Sequence, residues 1–212
     1  MQRYRYVSPR TRAQRTLELL NLGCRDRYPW HPSSTDSSGP HSLDIRTNAA
    51  IEVTQAIREW DYGDYEGKIT ADIKRSRAAR GLNADWDIWR DGCEGGESPE
   101  DVSMRLDALI ADLRARFHAG RFGREAGWKG KAGEPNDVLI VAHGHILRAF
   151  AARWVGKRLE ENPSLILEAG GVGTLSYEHH SIEEPAILLG GAFVVDVVER
   201  EREGEEKESG KG

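Results

Sequence analysis

Asp137-Val138-Leu139-Ile140-Val141-Ala142-His143-Gly144-His145-Ile146-Leu147-Arg148 decides how this chain folds. An unbroken apolar run follows a Pro-Asn-Asp turn and stops at His143, and a helical pattern begins at once. That order predicts a fully buried parallel strand feeding a helix. His143 then falls at the carboxyl end of a central strand, beside the free N–H groups of a helix start. Open α/β sheets bind their ligands at such places.

The chain has 212 residues, 38% of them apolar, enough to bury one core. A single domain is expected over 1–196, followed by a charged tail, 197–212, with no apolar partners and hence no fold. A net charge of −5 argues against a nucleic-acid partner, so an anionic ligand needs a local arginine cluster. Cys24 and Cys93 form neither a C-x-x-C pair nor a disulfide framework. No apolar stretch is long enough to span a bilayer, and the N-terminus has no apolar signal region, so no membrane partner is expected and the cytoplasm is the default location.

Gln2 to Val7 reads as a strand, and Ser8-Pro9 as the N-cap and first position of a helix bearing Arg10, Arg12 and Arg15. Free N–H groups, the helix dipole and a guanidinium fork favour a phosphate there, and Arg12 is placed to reach back over the strand end. The competing reading is a solvated basic helix face. Tyr28 to Asn48 is a polar loop in which His31 and His41 are bystanders.

Ile51 to Ile57 leads into Glu59-Trp60-Asp61-Tyr62-Gly63-Asp64-Tyr65-Glu66-Gly67. Aromatic walls and glycine turns can desolvate a carboxylate and lift its pKa, as a general acid requires, which makes Glu59 the candidate acid. An acidic turn stapled by tyrosines is the alternative. Lys68 to Arg80 predicts a basic helix ended by Gly81, and Trp86 and Trp89 predict core or lid packing. Ser98, Pro99 and Asp101 announce a capped helix whose apolar period runs to Phe117. Gly120 to Asn136 is a connection. Ile146 to Val155 predicts a well-covered helix with Arg148 in its first turn facing a ligand. Gly170 to Tyr177 and Ala186 to Leu189 predict a hairpin. His179 and His180 lie in its turn, and at most one can look inward.

Taken together, S-x-x-x-R-A-x-x-T of Ser8 to Thr16, E-x-x-Y-G-x-x-E-G of Glu59 to Gly67, G-E-S of Gly96 to Ser98 and A-H-G of Ala142 to Gly144 resemble the histidine phosphatase, or phosphoglycerate mutase-like, superfamily. Within it, Ile88 to Glu94 and Ser176 to Ala186 resemble most the fungal sedoheptulose-1,7-bisphosphatase branch. The resemblance implies an α/β fold, a three-layer αβα sandwich with a mostly parallel central sheet. It implies metal-free, cofactor-free phosphoryl transfer through a phosphohistidine, with a small phosphorylated sugar as partner. Carried over position by position, Arg12 clamps the phosphate, Glu59 donates the proton, and His143 is the second, charge-stabilising histidine. Tyr62, Arg148 and His179 would contact the sugar phosphate, and the choice of His179 over His180 rests on the resemblance alone.

One departure stands against these matches. The family's first motif, Arg-His-Gly, carries the nucleophile and a second phosphate arginine at the end of the first, central strand, and it occurs nowhere in this sequence. The expectation is a truncated form of an active phosphatase, lacking that strand and inactive as it stands. A catalytically dead pseudophosphatase that binds a sugar phosphate or a protein is one rival. Mutase-type phosphotransfer is another. A third makes His143-x-His145 the metal pair of a hydrolase, which would need further ligands. The sequence fixes neither the sugar nor the oligomeric state.

Overall fold

A computed structural model describes residues 3–22, 28–30, 49–119, 137–162 and 164–190. Three parallel strands form its sheet: β1 (Arg3–Val7), β2 (Ala49–Val53) and β3 (Val138–Val141), in the order β2-β1-β3. The register sets Val7 level with Val53 on one side and Val141 on the other, so all three strands end at one edge. The ladder continues one step further, with Ser8 N–H donating to the Val141 carbonyl and Thr54 N–H to that of Val7.

Strand alternation sorts side chains between two layers. Val7, Leu139 and Val141 face helix α1 (Thr11–Leu19), through Ala13 and Leu17. Tyr6, Val138 and Ile140 face the larger core, built on helices α4 (Pro99–Leu113) and α5 (Gly144–Trp154). Helices on both faces of a parallel sheet give the expected three-layer sandwich. Two further helices, α2 (Thr70–Ala79) and α3 (Ile88–Asp91), complete the larger layer. An antiparallel hairpin, β4 (Thr174–Tyr177) with β5 (Pro185–Leu188), forms a second sheet, tied to α5 by Trp154 Nε1–H donating to the Ser176 carbonyl. No helix among the described residues is long and apolar enough to cross a membrane.

Several local expectations hold for the reasons given. Ser98 and Asp101 form a reciprocal capping box with Pro99 first in the helix. Gly81 ends α2 with a positive φ of 72°. Trp86 and Trp89 are buried in the core. Two expectations change. Ser8 is not an N-cap: it continues the strand ladder, and the helix begins three residues later, at Thr11, behind Arg10. β3 is not the central strand among the described residues: it pairs only with β1, and three of its four residues are half-buried. The middle place belongs to β1, which is rich in arginine and tyrosine. Burial is possible because Arg5 donates to the Leu22 carbonyl and Tyr6 accepts from Arg116. His31 and His41, Cys24, the 120–136 connection and the 197–212 tail lie outside the described residues.

Candidate active site

The aligned strand ends bring Ser8, after β1, beside His143, after β3. Arg12 Nε–H donates to His143 Nδ1 at 2.9 Å, and His143 Nε2 lies 2.7 Å from Ser8 Oγ. A guanidinium has no acceptor, so Nδ1 must carry the lone pair and Nε2 the proton, which is donated to Ser8. The imidazole is 7% exposed. Burial pushes its pKa below the ordinary histidine value, the Arg12 and Arg10 charges add to this, and the Glu59 carboxylate opposes it. His143 is therefore a neutral ring held at both nitrogens, with one N–H pointing at a hydroxyl.

Glu59 approaches from the segment after β2. It is 7% exposed, and its Oε1 accepts from Trp60 N–H at 3.0 Å and from Ile146 N–H at 3.1 Å. The second bond satisfies one free donor at the start of α5, where the helix dipole favours a negative charge. Glu59 and His143 thus meet at the same helix start, His143 being its N-cap residue. Beside them the Tyr62 hydroxyl lies 2.8 Å from His145 Nδ1, and burial followed by the Glu59 charge keeps the phenol protonated. Arg148 stacks its guanidinium over the Trp89 ring at 4.8 Å, and its Nε is buried with no hydrogen-bond partner among the described residues.

The acidic loop owes its shape to Glu97. This buried carboxylate takes both Nε and a terminal nitrogen of Arg105, a terminal nitrogen of Arg58, and the Asp61 N–H. The Glu97 backbone also receives Trp60 Nε1–H, and its N–H donates to the Asp61 carbonyl. Gly63 and Gly96 pack backbone against backbone, leaving no room for a Cβ on either. The effect is to hold residues 59–63 rigidly beside α5.

Of the six residues singled out from sequence, Arg12 and His143 share one hydrogen bond. Glu59, Tyr62 and Arg148 lie around the same helix start. His179 is placed apart from this network: its side chain is 80% exposed, its φ is +48°, and its Nδ1 pairs with Glu184 at 2.6 Å. Sequence reasoning passed over Ser8 as a partner of His143, and Arg58 and Arg105 as neighbours, and it raised His145 only as a metal ligand, not as the partner of Tyr62. The motif carrying Glu97 was visible, but its role depends on Arg105 eight residues on and on Arg58, Trp60 and Asp61, 36 and more residues back in the chain. The metal-pair reading gains no support. The only group of three or more ligand-type side chains close enough to share an ion, among the described residues, is Glu178, His179 and Glu184.

The model of the histidine phosphatase superfamily, branch 1, matches residues 42–186. The sedoheptulose 1,7-bisphosphatase of Saccharomyces cerevisiae is 34% identical over 95% of this chain and 78% of its own length. An acid phosphatase of Mycobacterium tuberculosis is 34% identical over 65% of this chain and 56% of its own. Among solved structures, one of an open reading frame from Mycobacterium tuberculosis superposes with a TM-score of 0.59 at 27% identity, covering 89% of this chain and 70% of that one. A mycobacterial glucosyl-3-phosphoglycerate phosphatase superposes with a TM-score of 0.53 at 25% identity, covering 88% and 74%. The family match begins after Arg12, but the yeast relative extends across nearly the whole chain. On these grounds the chain belongs to branch 1 of the histidine phosphatase superfamily.

Proposed function

We propose that this chain supplies the proton donor and one half of the phosphate clamp of a metal-independent phosphatase acting on a phosphorylated sugar, of the sedoheptulose 1,7-bisphosphate kind. The observation that carries the proposal is the Arg12–His143 hydrogen bond, formed at the same helix start that receives Glu59. Both ring nitrogens of His143 are engaged, so the phosphate would take the Nε2–H now donated to Ser8, while Arg12 brings a permanent positive charge. In the proposed route a second histidine attacks phosphorus in line, forming a P–N bond as the P–O bond breaks. Glu59 gives its proton to the leaving alkoxide, and water then hydrolyses the phosphohistidine. Tyr62 and Arg148 are the proposed sugar contacts.

The attacking histidine is not among those placed here. His143 is the charge-stabilising partner, and no Arg-His-Gly occurs in the sequence. The chain as given is therefore proposed to bind phosphate without turning it over, and a form with an upstream Arg-His-Gly segment to hydrolyse sugar bisphosphates. Calorimetry of this chain with inorganic phosphate, beside Arg12→Gln and His143→Ala, tests the clamp. Phosphate release from sedoheptulose 1,7-bisphosphate by an extended form tests the reaction. Absence of phosphate binding, or binding indifferent to both substitutions, would sink the proposal. A pseudophosphatase predicts the same binding, but no turnover by any extended form obtained from the transcript.

A further inference from the structure

The Tyr62 hydroxyl stands between two groups that titrate, and it has one proton to offer them. On one side lies His145 Nδ1, at 2.8 Å. On the other lies the Glu59 carboxylate, whose charge and hydrogen bonding, after burial, hold the phenol protonated. We infer that His145 is a positioning residue for the acid Glu59, its ring exchanging tautomers through Tyr62 so that the hydroxyl stays fully bonded in both charge states of Glu59.

The inference rests on the phosphatase reading above, since a proton donor has to pass through both states in each cycle. Glu59 Oε1 is committed to the N–H groups of Trp60 and Ile146. That leaves Oε2 for the hydroxyl, and a proton on the carboxyl must sit there too. As a carboxylate, Glu59 is the stronger acceptor and takes the Tyr62 proton. The phenol oxygen then accepts, and His145 has to carry its own proton on Nδ1. As an acid, Glu59 donates to the phenol oxygen. The Tyr62 proton then turns to Nδ1, and His145 has to carry its own on Nε2. Tyr62 is satisfied either way, which matters because a desolvated donor or acceptor left unmet is costly.

The ring is fixed for this role. It meets Tyr62 edge-on at 5.7 Å and Trp89 at 5.6 Å between centroids, and Trp89 is itself covered by Arg148. Burial lowers the His145 pKa, with Glu59 and Asp87 opposing and the Arg148 charge adding to the effect, so the ring is neutral at pH 8. A neutral imidazole presents Nδ1 as donor or acceptor according to the bond on offer, which few side chains can do.

Nitrogen-resolved NMR of the intact chain at pH 8, above the ordinary carboxylate range, tests this. His145 is expected to carry its proton on Nδ1. In Glu59→Gln the amide oxygen keeps the two backbone donors and the NH2 group faces Tyr62 as the protonated acid would, so His145 should switch to Nε2–H. Adding Glu59→Gln to a Tyr62→Phe chain should leave the His145 tautomer unchanged, because the connection is gone. His143 should stay Nε2–H throughout, which checks that the helix start is intact. If Glu59→Gln disturbs the loop, Tyr62→Phe alone decides, since the Nδ1–H form should be lost without the phenol oxygen. An Nε2–H ring in the unaltered chain, no switch in a folded Glu59→Gln, or a switch that survives Tyr62→Phe would each overturn the inference and leave the phosphatase reading intact. Calorimetry with inorganic phosphate on the same samples separates the two. A tautomer switch in a chain that binds no phosphate would remove the phosphatase reading, and with it the assignment of the switch to an acid step.

Discussion

Arg12 Nε–H donates to His143 Nδ1 across 131 residues of sequence, and this one bond fixes the tautomer of the ring. Arg12→Gln removes both the donor and the nearby charge. The His143 pKa should then rise toward its ordinary value, since only burial and the Arg10 charge remain to depress it. Nitrogen-resolved NMR titration of the ring measures this directly. A tautomer and pKa unchanged in Arg12→Gln would mean that Ser8 and burial suffice to hold the ring.

Acid stability should fall in two separate windows. His143 and His145 both have pKa values lowered first by burial. Their protons bind more readily in the unfolded chain, so stability is complete above about pH 6.5 and declines as pH falls toward the folded values. Exposed His179 is raised by Glu184 and works in the opposite sense, but solvent screens it. Glu97, lowered by the Arg105 hydrogen bond against its own burial, contributes stability that is lost only as pH falls below about 4.5. Urea unfolding followed from pH 7.5 to about pH 3 should show the first decline shrink in His145→Gln and the second persist.

Glu97→Gln should destabilise the protein by about 3 kcal/mol, because the largely buried Arg105 loses its carboxylate partner, while the part-exposed Arg58 adds little. Chemical denaturation gives the value. A change under about 1 kcal/mol would mean that solvent screens the trio in the way it screens surface pairs.

Alanine at Gly63 and at Gly67 should separate steric from conformational strain. Both have positive φ, 50° and 73°. At Gly67 the added carbon meets nothing, so the penalty is the left-handed backbone alone, about 1 kcal/mol. At Gly63 it would overlap the Glu94 carbonyl and the Gly96 nitrogen, and a loss above about 3 kcal/mol is expected. Thermal melts of the two variants side by side settle the difference.

Cys93 should be inert to thiol reagents in the native protein. Burial, reinforced by Asp61 and Glu97, pushes its thiol up to about 12, so almost no thiolate is present near neutrality. In a Cys24→Ser background, labelling should occur only after denaturation, and rapid native labelling would show the 93–97 loop to be open.

Apolar runs, glycine and proline punctuation and cap residues were enough to determine the α/β class, a strand over Gln2 to Val7, the parallel strand that ends at His143, the capped helix at Pro99 and the hairpin near the end. These depend on neighbours a few residues apart, so local chemistry is sufficient. Motif spacing likewise picked out Arg12, Glu59 and His143. Their meeting was not legible locally. It follows from the register that sets Val7 level with Val141, and register is settled by packing on both faces of the sheet. For the same reason Ser8, a good cap by composition, became a ladder residue and a partner of His143, and a tyrosine- and arginine-rich strand took the middle of the sheet. His179 shows the reverse case. Its motif placed it at the site, but its position in a hairpin turn set it on the surface against Glu184, because a turn residue goes where its two strands end.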